Sequence, residues 1–324
     1  MRAALLRAYA APPELAEHPR PSPPPGGALV QVRAAPIAPL DRLCASGTSY
    51  LGAPPLPYVP GVQGVGVVAE SDAYAAGTRV WFATNAGMAP GDGSLAELCA
   101  VPAADLVPIS ADVPDPAVAA IGTSGIAAWM ALTWRAGLRS AERVVVLGAS
   151  GAVGQVAVAV ATEGGAGRVV AVVRSAAAVA RAREGGADEV VVLDPAEDRA
   201  GLTGRLVAAA GGPVDVVIDP VFGELAGAAA LALGPGGRLV NLGGSASDSA
   251  EFSSAALRGR TLSILGYTNN AISAEQRAEA LTSVLALAAR GLVSVGHRVL
   301  PLADCDQAWT LAAAAGPRVV VSVG

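Results

Sequence analysis

"VVVLGASGAVGQVAVAVA" (residues 144–161) decides the fold class of this chain. Three valines and a leucine run into a glycine-rich turn, and an Ala/Val-rich segment of helical length follows. A β-branched run without polar alternation predicts a strand covered on both faces. The turn reads Gly148-Ala149-Ser150-Gly151-Ala152-Val153-Gly154. Against the dinucleotide-binding spacing G-x-G-x-x-G, Ala149 takes the first glycine position, and Gly151 and Gly154 keep the second and third. A bare backbone at the second position admits a pyrophosphate. Glycine at the third lets the helix pack closely on the strand, and the helix N-terminus presents free N–H groups to the anion. Ser150, Gly151, Ala152, Val153 and Gly154 are therefore the expected cofactor seat.

Outward from this stretch, strand and helix patterns alternate. Strands are predicted at "RVVVLG" (143–148), "RVVAVVR" (168–174), "EVVVLD" (189–194), "VDVVIDP" (214–220), "GRLVNLG" (237–243) and "TLSILGY" (261–267). Ala-rich segments of helical length separate the first five. Repeated β-α units with apolar strands imply an α/β fold with a doubly wound parallel sheet. The first third differs: it is rich in Pro and Gly, with short strand-like runs such as "ALVQVRAAPI" and "TRVWFAT". It predicts an irregular β domain. From residue 115 the period turns helical, through "DPAVAAIGTSGIAAWMALTWRAGL". The expected division is a β domain over 1–118, a nucleotide domain over 119–268, and a return to the β domain over 269–324.

Composition limits the partners. The 324 residues are 52% hydrophobic and 15% charged, with a net charge of −5. The mean hydropathy of +0.49 is high. It comes from Ala and Val interrupted by Gly, Pro, Arg and Asp, and no run nears the ~20 uninterrupted apolar residues of a membrane span. The start, "MRAALLRAYAAPPEL", reads as a first strand and not as a signal peptide. No basic cluster offers a nucleic-acid surface. A small-molecule substrate is expected, with neither nucleic acid nor membrane as partner. Cys44, Cys99 and Cys305 are odd in number and far apart, which argues against a disulfide framework and for a reducing cytoplasm, and Cys44 and Cys99, without a neighbouring His or basic residue to activate them, are expected to be buried and inert. Trp129 and Trp134, inside the helical segment, are expected in a core or a domain interface.

The end of the second strand separates NAD from NADP. An acidic residue there would bond both ribose hydroxyls. This chain has Arg174 followed by Ser175. A guanidinium fork suits a 2′-phosphate, so NADPH is the expected cofactor.

Taken in order, "APLD" (38–41), "PYVPGVQGVGVV" (57–68), "GTRVWF", "GSLAELCAVP", "IGTSGIAAWMAL", the glycine turn, "VDVVIDPVFG" and "LGPGGRLVNLGG" resemble the medium-chain dehydrogenases/reductases over nearly the whole chain. The resemblance implies a GroES-like β domain, split in sequence, with a Rossmann domain inserted into it. Zinc alcohol dehydrogenases of that superfamily carry metal ligands at positions matched here by Ala38, Val62 with Gln63, and Thr123. None is Cys or His, so no metal is expected. The chain looks most like the zinc-free quinone oxidoreductase and enoyl reductase group, which implies hydride transfer from NADPH to a quinone or an activated C=C. It departs from that group at Ala38, where Asn is usual, and at Leu43, where Tyr is usual.

Site candidates come from the segments that the resemblance and the strand ends indicate. Tyr50, near the family's substrate loop, is a candidate proton donor. Asp41 matches a family position and equally suits a capping role. Thr123 and Ser124 match the stretch that approaches the nicotinamide. Asp219, Asn241 and Gly243 stand at strand C-terminal ends, where such sheets bind ligands. Tyr267, Asn269 and Asn270 follow the last strand. That strand is apolar and would lie at the sheet edge, which predicts a two-fold homodimer. Two alternatives share the cofactor site: a pathway-specific ketone or enoyl reductase of secondary metabolism, and a nucleotide-binding redox sensor with little turnover.

Overall fold

Two sequence patterns give two kinds of sheet, each in its own unit. The structure is a computed structural model and describes every residue except Tyr50, Leu51 and Ala315. Unit 1 comprises Met1–Gly122 and Val295–Gly324, and unit 2 comprises Thr123–Ser294.

In unit 1, β1 (Arg2–Leu5) and β2 (Glu14–Glu17) form an antiparallel hairpin. They are followed by β3 (Gly27–Pro36), α1 (Pro39–Ala45), β4 (Gln63–Ser71), β5 (Arg79–Ala83), β6 (Leu98–Pro102) and β7 (Leu106–Pro108). β3 organises this sheet, pairing antiparallel with both β4 and β6. Val30, Val32, Val68, Val80 and Phe82 are buried in one core cluster. Each such side chain stabilises the fold by about 1.5–3 kcal/mol relative to exposure.

α2 (Asp115–Met130) carries the chain from unit 1 into unit 2. It is not the single regular helix that the sequence predicts. Gly122 breaks it, with φ 20° and ψ −123°. A Cβ there would stand 1.9 Å from Gln63 Oε1, so only glycine fits. A π-turn over Ala131–Arg135 then ends the segment. The 21 residues of Asp115–Arg135 are long and apolar enough to cross a membrane by composition, yet 67% of the most apolar stretch is buried inside the protein, as in a core helix.

Unit 2 continues with β8 (Arg143–Val146), α3 (Ala152–Glu163), β9 (Arg168–Val173), α4 (Val179–Glu184), β10 (Glu189–Val192) and α5 (Arg199–Ala210). Then come β11 (Val214–Asp219), α6 (Glu224–Ala232), β12 (Leu233–Asn241), α7 (Ser254–Arg260), β13 (Ser263–Gly266) and α8 (Ala274–Ala289). Among the described residues six strands order as β10-β9-β8-β11-β12-β13. Every neighbouring pair is parallel. Winding proceeds outward from β8 to β10, returns to β11 and proceeds the other way. The direction switches between β8 and β11, which makes the crevice beyond their C-terminal ends the ligand position of such a sheet.

The chain ends with β14 (His297–Pro301), α9 (Cys305–Leu311) and β15 (Arg318–Ser322). β15 lies parallel to β14 and antiparallel to β3, so this segment completes the sheet of unit 1. The boundaries differ from the expected 118/119 and 268/269. The return starts at Val295, because α8 belongs to unit 2 with Ala280, Leu281, Val284 and Leu285 buried.

Candidate active site

The glycine turn is shaped by three different constraints. Gly148 has φ +58°, and the chain folds back so that Gly151 N–H donates to Gly148 O at 2.9 Å. At Gly154 a Cβ would come within 2.4 Å of Gly148 O and 2.5 Å of Ala149 Cα, so close packing of α3 on the turn requires glycine. Gly151 is exposed, has φ −77°, and its Cβ would meet only Gly148 O, at 3.4 Å. Nothing in the chain itself demands glycine there. That face is open, and no side chain caps α3. A bare backbone before an uncapped helix N-terminus fits a dinucleotide pyrophosphate. Ser150 is exposed beside it, and its carbonyl accepts from Gln155 Nε2 at 2.8 Å.

At the end of β9, Arg174 and Ser175 are both exposed. Ser175 Oγ accepts from Ala177 N–H at 3.2 Å and holds the following turn. Arg174 has no hydrogen-bond or ion-pair partner among the described residues. Arg168, Arg183, Arg199, Arg205 and Arg238 of the same unit each pair with a glutamate.

Asp219 corrects an expectation. It is fully buried, and its Oδ1 accepts from Val221 N–H at 2.9 Å and Phe222 N–H at 2.8 Å. Its Oδ2 faces Asn241 Nδ2 at 3.3 Å. Burial raises its pKa. With no exposed surface, it positions the turn after β11 instead of touching a ligand. The Asn241 amide likewise donates to Asp219 O at 3.2 Å and Gly243 O at 2.8 Å, which fixes the end of β12.

Thr123, Asn241, Tyr267 and Asn269 are brought together. Tyr267 N–H donates to Asn241 O at 2.9 Å, and the Tyr267 hydroxyl donates to Asn269 Oδ1 at 2.7 Å. Asn269 Nδ2 donates in turn to Thr123 O at 3.1 Å. Burial pushes the Tyr267 phenol up, so it stays protonated. Ser124 is buried one residue further along α2, and Asn270 is exposed. Trp134 is not a core residue: it is 45% exposed, with the Arg135 guanidinium 5.3 Å from its ring centroid and the edge of Tyr267 against it.

In unit 1, Asp41, a catalytic candidate that equally suited a capping role, takes the capping role. Its carboxylate is 2% exposed and accepts from Ala38 N–H at 2.7 Å, Gly61 N–H at 3.0 Å and Val62 N–H at 2.8 Å. It staples the start of α1 to the loop before β4. Burial raises its pKa to about 6 against the pull of those N–H groups. Tyr50 lies outside the described residues.

The positions matched to zinc ligands do not suit a metal. Ala38 and Val62 are buried and apolar. Gln63 is 1% exposed, and its Oε1 accepts from Trp81 Nε1 at 2.9 Å. A tetrahedral zinc needs about four converging donors. Among the described residues no group of three or more His, Cys, Asp or Glu is placed to hold an ion. The Gln63–Trp81 bond was not anticipated, since only the fold joins residues on neighbouring strands.

Comparison with known proteins follows the same lines. Residues 24–111 match the family model described as alcohol dehydrogenase GroES-like domain, and residues 152–286 the one described as zinc-binding dehydrogenase. A zinc-type alcohol dehydrogenase-like protein of Schizosaccharomyces pombe is 32% identical over 74% of this chain and 68% of its own length. The quinone oxidoreductase of Thermus thermophilus, solved also in complex with NADPH, is 30% identical, with TM-score 0.83 over 99% of this chain and 100% of that one. An NAD-dependent alcohol dehydrogenase is 28% identical, with TM-score 0.84 over 100% of both chains.

Proposed function

This chain belongs to the medium-chain dehydrogenase/reductase superfamily, quinone oxidoreductase-like, and from that premise we propose that it is a zinc-independent, NADPH-dependent reductase of quinones or activated C=C bonds. That it is an oxidoreductase follows from the family. The observation that carries the finer proposal is Arg174, an exposed guanidinium without a partner among the described residues at the end of β9. It supports NADPH over NADH because a 2′-phosphate would supply the missing counter-charge.

The reduced nicotinamide, when bound, supplies the hydride. The chain supplies everything else. Beside the bare backbone of Gly151, the N–H groups of Ala152 and Val153 at the start of α3 would hold the pyrophosphate, and Arg174 with Ser175 the 2′-phosphate. Gly243 and Asn269, beside the fixed ends of β12 and β13, would border the ribose and nicotinamide. Reduction of an α,β-unsaturated carbonyl gathers negative charge on the carbonyl oxygen. With Ala38, Val62 and Gln63 unable to bind zinc, hydrogen-bond donors of the protein must meet that charge. We also propose that a second copy pairs along β13, the edge strand of its sheet.

The test follows oxidation of NADPH and NADH by absorbance against a panel of quinones, enones and ketones. Turnover of quinones or enones with preference for NADPH supports the proposal. Turnover of one ketone alone would point to a dedicated reductase. NADPH binding without turnover on any acceptor would point to a sensor. Stoichiometric zinc in protein purified without added metal would refute the zinc-independent assignment.

A further inference from the structure

We propose that the Asn269 side-chain amide is the group of unit 2 that meets the carboxamide of the cofactor's nicotinamide, and that Tyr267 is the positioning residue that sets which way round this amide stands. The inference rests on the cofactor reading above and names the contact at its nicotinamide end. Every residue it uses lies in unit 2. A sheet of this kind holds a dinucleotide across its switch point, with one mononucleotide over each half. The 2′-phosphate proposed for Arg174, at the end of β9, puts the adenosine half over β8, β9 and β10. The nicotinamide half then falls beyond the ends of β11, β12 and β13.

The polar side chains at those three ends are mostly occupied. Asp219 is fully buried, and its Oδ1 accepts from Val221 N–H and Phe222 N–H. The Asn241 amide donates to Asp219 O and Gly243 O. The Ser245 hydroxyl donates to Pro220 O at 3.2 Å. Thr268 Oγ1 accepts from Asn270 N–H at 3.3 Å and holds the turn after β13. Asn269 differs from these. It is half-buried, so a ligand beyond the strand ends can reach it. Its Oδ1 accepts from the Tyr267 hydroxyl, and its Nδ2 donates to Thr123 O. A side-chain amide has two N–H groups and two acceptor lone pairs. Those two bonds take one of each, which leaves one N–H and one lone pair. A carboxamide presents the matching pair, a carbonyl oxygen that accepts and an N–H that donates.

The orientation of the amide is imposed from both ends. Thr123 O can only accept, so it selects Nδ2. Burial keeps the Tyr267 phenol protonated, and as a donor it selects Oδ1. The phenol is itself held in place. Tyr267 N–H donates to Asn241 O at 2.9 Å, and its ring packs edge-on with Trp134, centroids 6.3 Å apart. One residue earlier, Gly266 O accepts from Arg135 Nε at 3.0 Å. An amide fixed before the ligand arrives loses less freedom on binding than a mobile one, and so adds more to affinity.

The test is calorimetric titration of the full-length protein with two probes, NADPH and 2′-phospho-ADP-ribose, which lacks only the nicotinamide. Wild type should bind NADPH more tightly than the fragment. Asn269→Ala should weaken NADPH binding by about 10-fold, and Tyr267→Phe, which frees the amide to turn over, by about 3-fold. Binding of the fragment should be unchanged in both variants, a difference that a merely structural role would not produce. Wild-type NADPH affinity in Asn269→Ala overturns the proposal, and so does an equal loss for both probes. A loss in Asn269→Ala with none in Tyr267→Phe overturns the positioning role of Tyr267. Should Tyr267→Phe not fold, Asn269→Ala decides by the same comparison. Wild-type protein that binds neither probe rejects the cofactor reading and this inference with it. Wild-type protein that binds both probes equally well rejects the nicotinamide contact alone.

Discussion

Gly151→Ala and Gly154→Ala place the same methyl group three residues apart and should fail in opposite ways. At Gly154 the new Cβ would lie 2.4 Å from Gly148 O and 2.5 Å from Ala149 Cα. Both neighbours are backbone, so α3 must lift from the turn. Overpacking of this kind costs about 1–3 kcal/mol. For a unit of this size that lowers the melting temperature by roughly 2–12 °C. At Gly151 the new Cβ meets only Gly148 O at 3.4 Å, and φ −77° accepts alanine. Two small effects oppose each other there. Alanine is a poorer N-cap than glycine, by about 0.5–1 kcal/mol. It also restricts the unfolded chain, which returns about 0.4–1 kcal/mol. The net change in stability is near zero. NADPH affinity, however, should fall by at least about 10-fold, or about 1.4 kcal/mol, since the methyl occupies the space proposed for the pyrophosphate. Differential scanning fluorimetry and a fluorescence titration with NADPH separate the two variants. Wild-type NADPH affinity in Gly151→Ala, or a melting-temperature loss there equal to that of Gly154→Ala, would refute this account of the turn.

Arg174→Ala should lower kcat/KM for NADPH by at least about 10-fold while leaving NADH nearly unaffected, because only the 2′-phosphate contact is lost; an equal loss with both cofactors would contradict the assignment. Asp41 gives a pH signature. Its folded pKa of about 6 lies above the usual carboxylate value, so the folded state binds more protons than the unfolded one between about pH 4 and 6. Its contribution to stability is therefore greatest in acid and declines as pH rises through 6. The stability advantage of wild type over Asp41→Asn, from urea unfolding, should be about 1.4 kcal/mol larger at about pH 5 than at about pH 8; the opposite sign would refute the burial argument. Light scattering should give twice the 31.8 kDa chain mass, and a monomer at micromolar concentration would exclude pairing through β13.

Much of the fold was legible because its causes are local. The valine runs at β8, β9 and β11 become parallel strands since all their valines are buried, and no polar alternation was needed to mark a solvent face. The glycine turn before α3 was legible in Gly151 and Gly154. The boundary at Ser294 was not, because the amphipathic pattern of α8 says that one face is buried and not which sheet buries it. Asp41 and Asp219 carried the right residue type for acid–base chemistry, yet both are consumed by backbone N–H groups. Trp134 lies in an apolar helical segment and still emerges exposed, because the π-turn ends the helix there.

The sequence by itself determined the alternation of strands and helices, the glycine turn, and an arginine where an acidic residue would mark NAD. Each follows from short-range rules of side-chain period, backbone sterics and residue spacing. Only the tertiary structure decided which polar groups remain available for chemistry. Asp41 is committed to N–H groups 20 and 21 residues away, Gln63 to an indole 18 residues away, and Asn269 to a carbonyl 146 residues away. A hydrogen bond satisfies a group only when a complementary atom arrives at the right distance and angle. That arrival is a property of the folded chain and not of neighbouring residues.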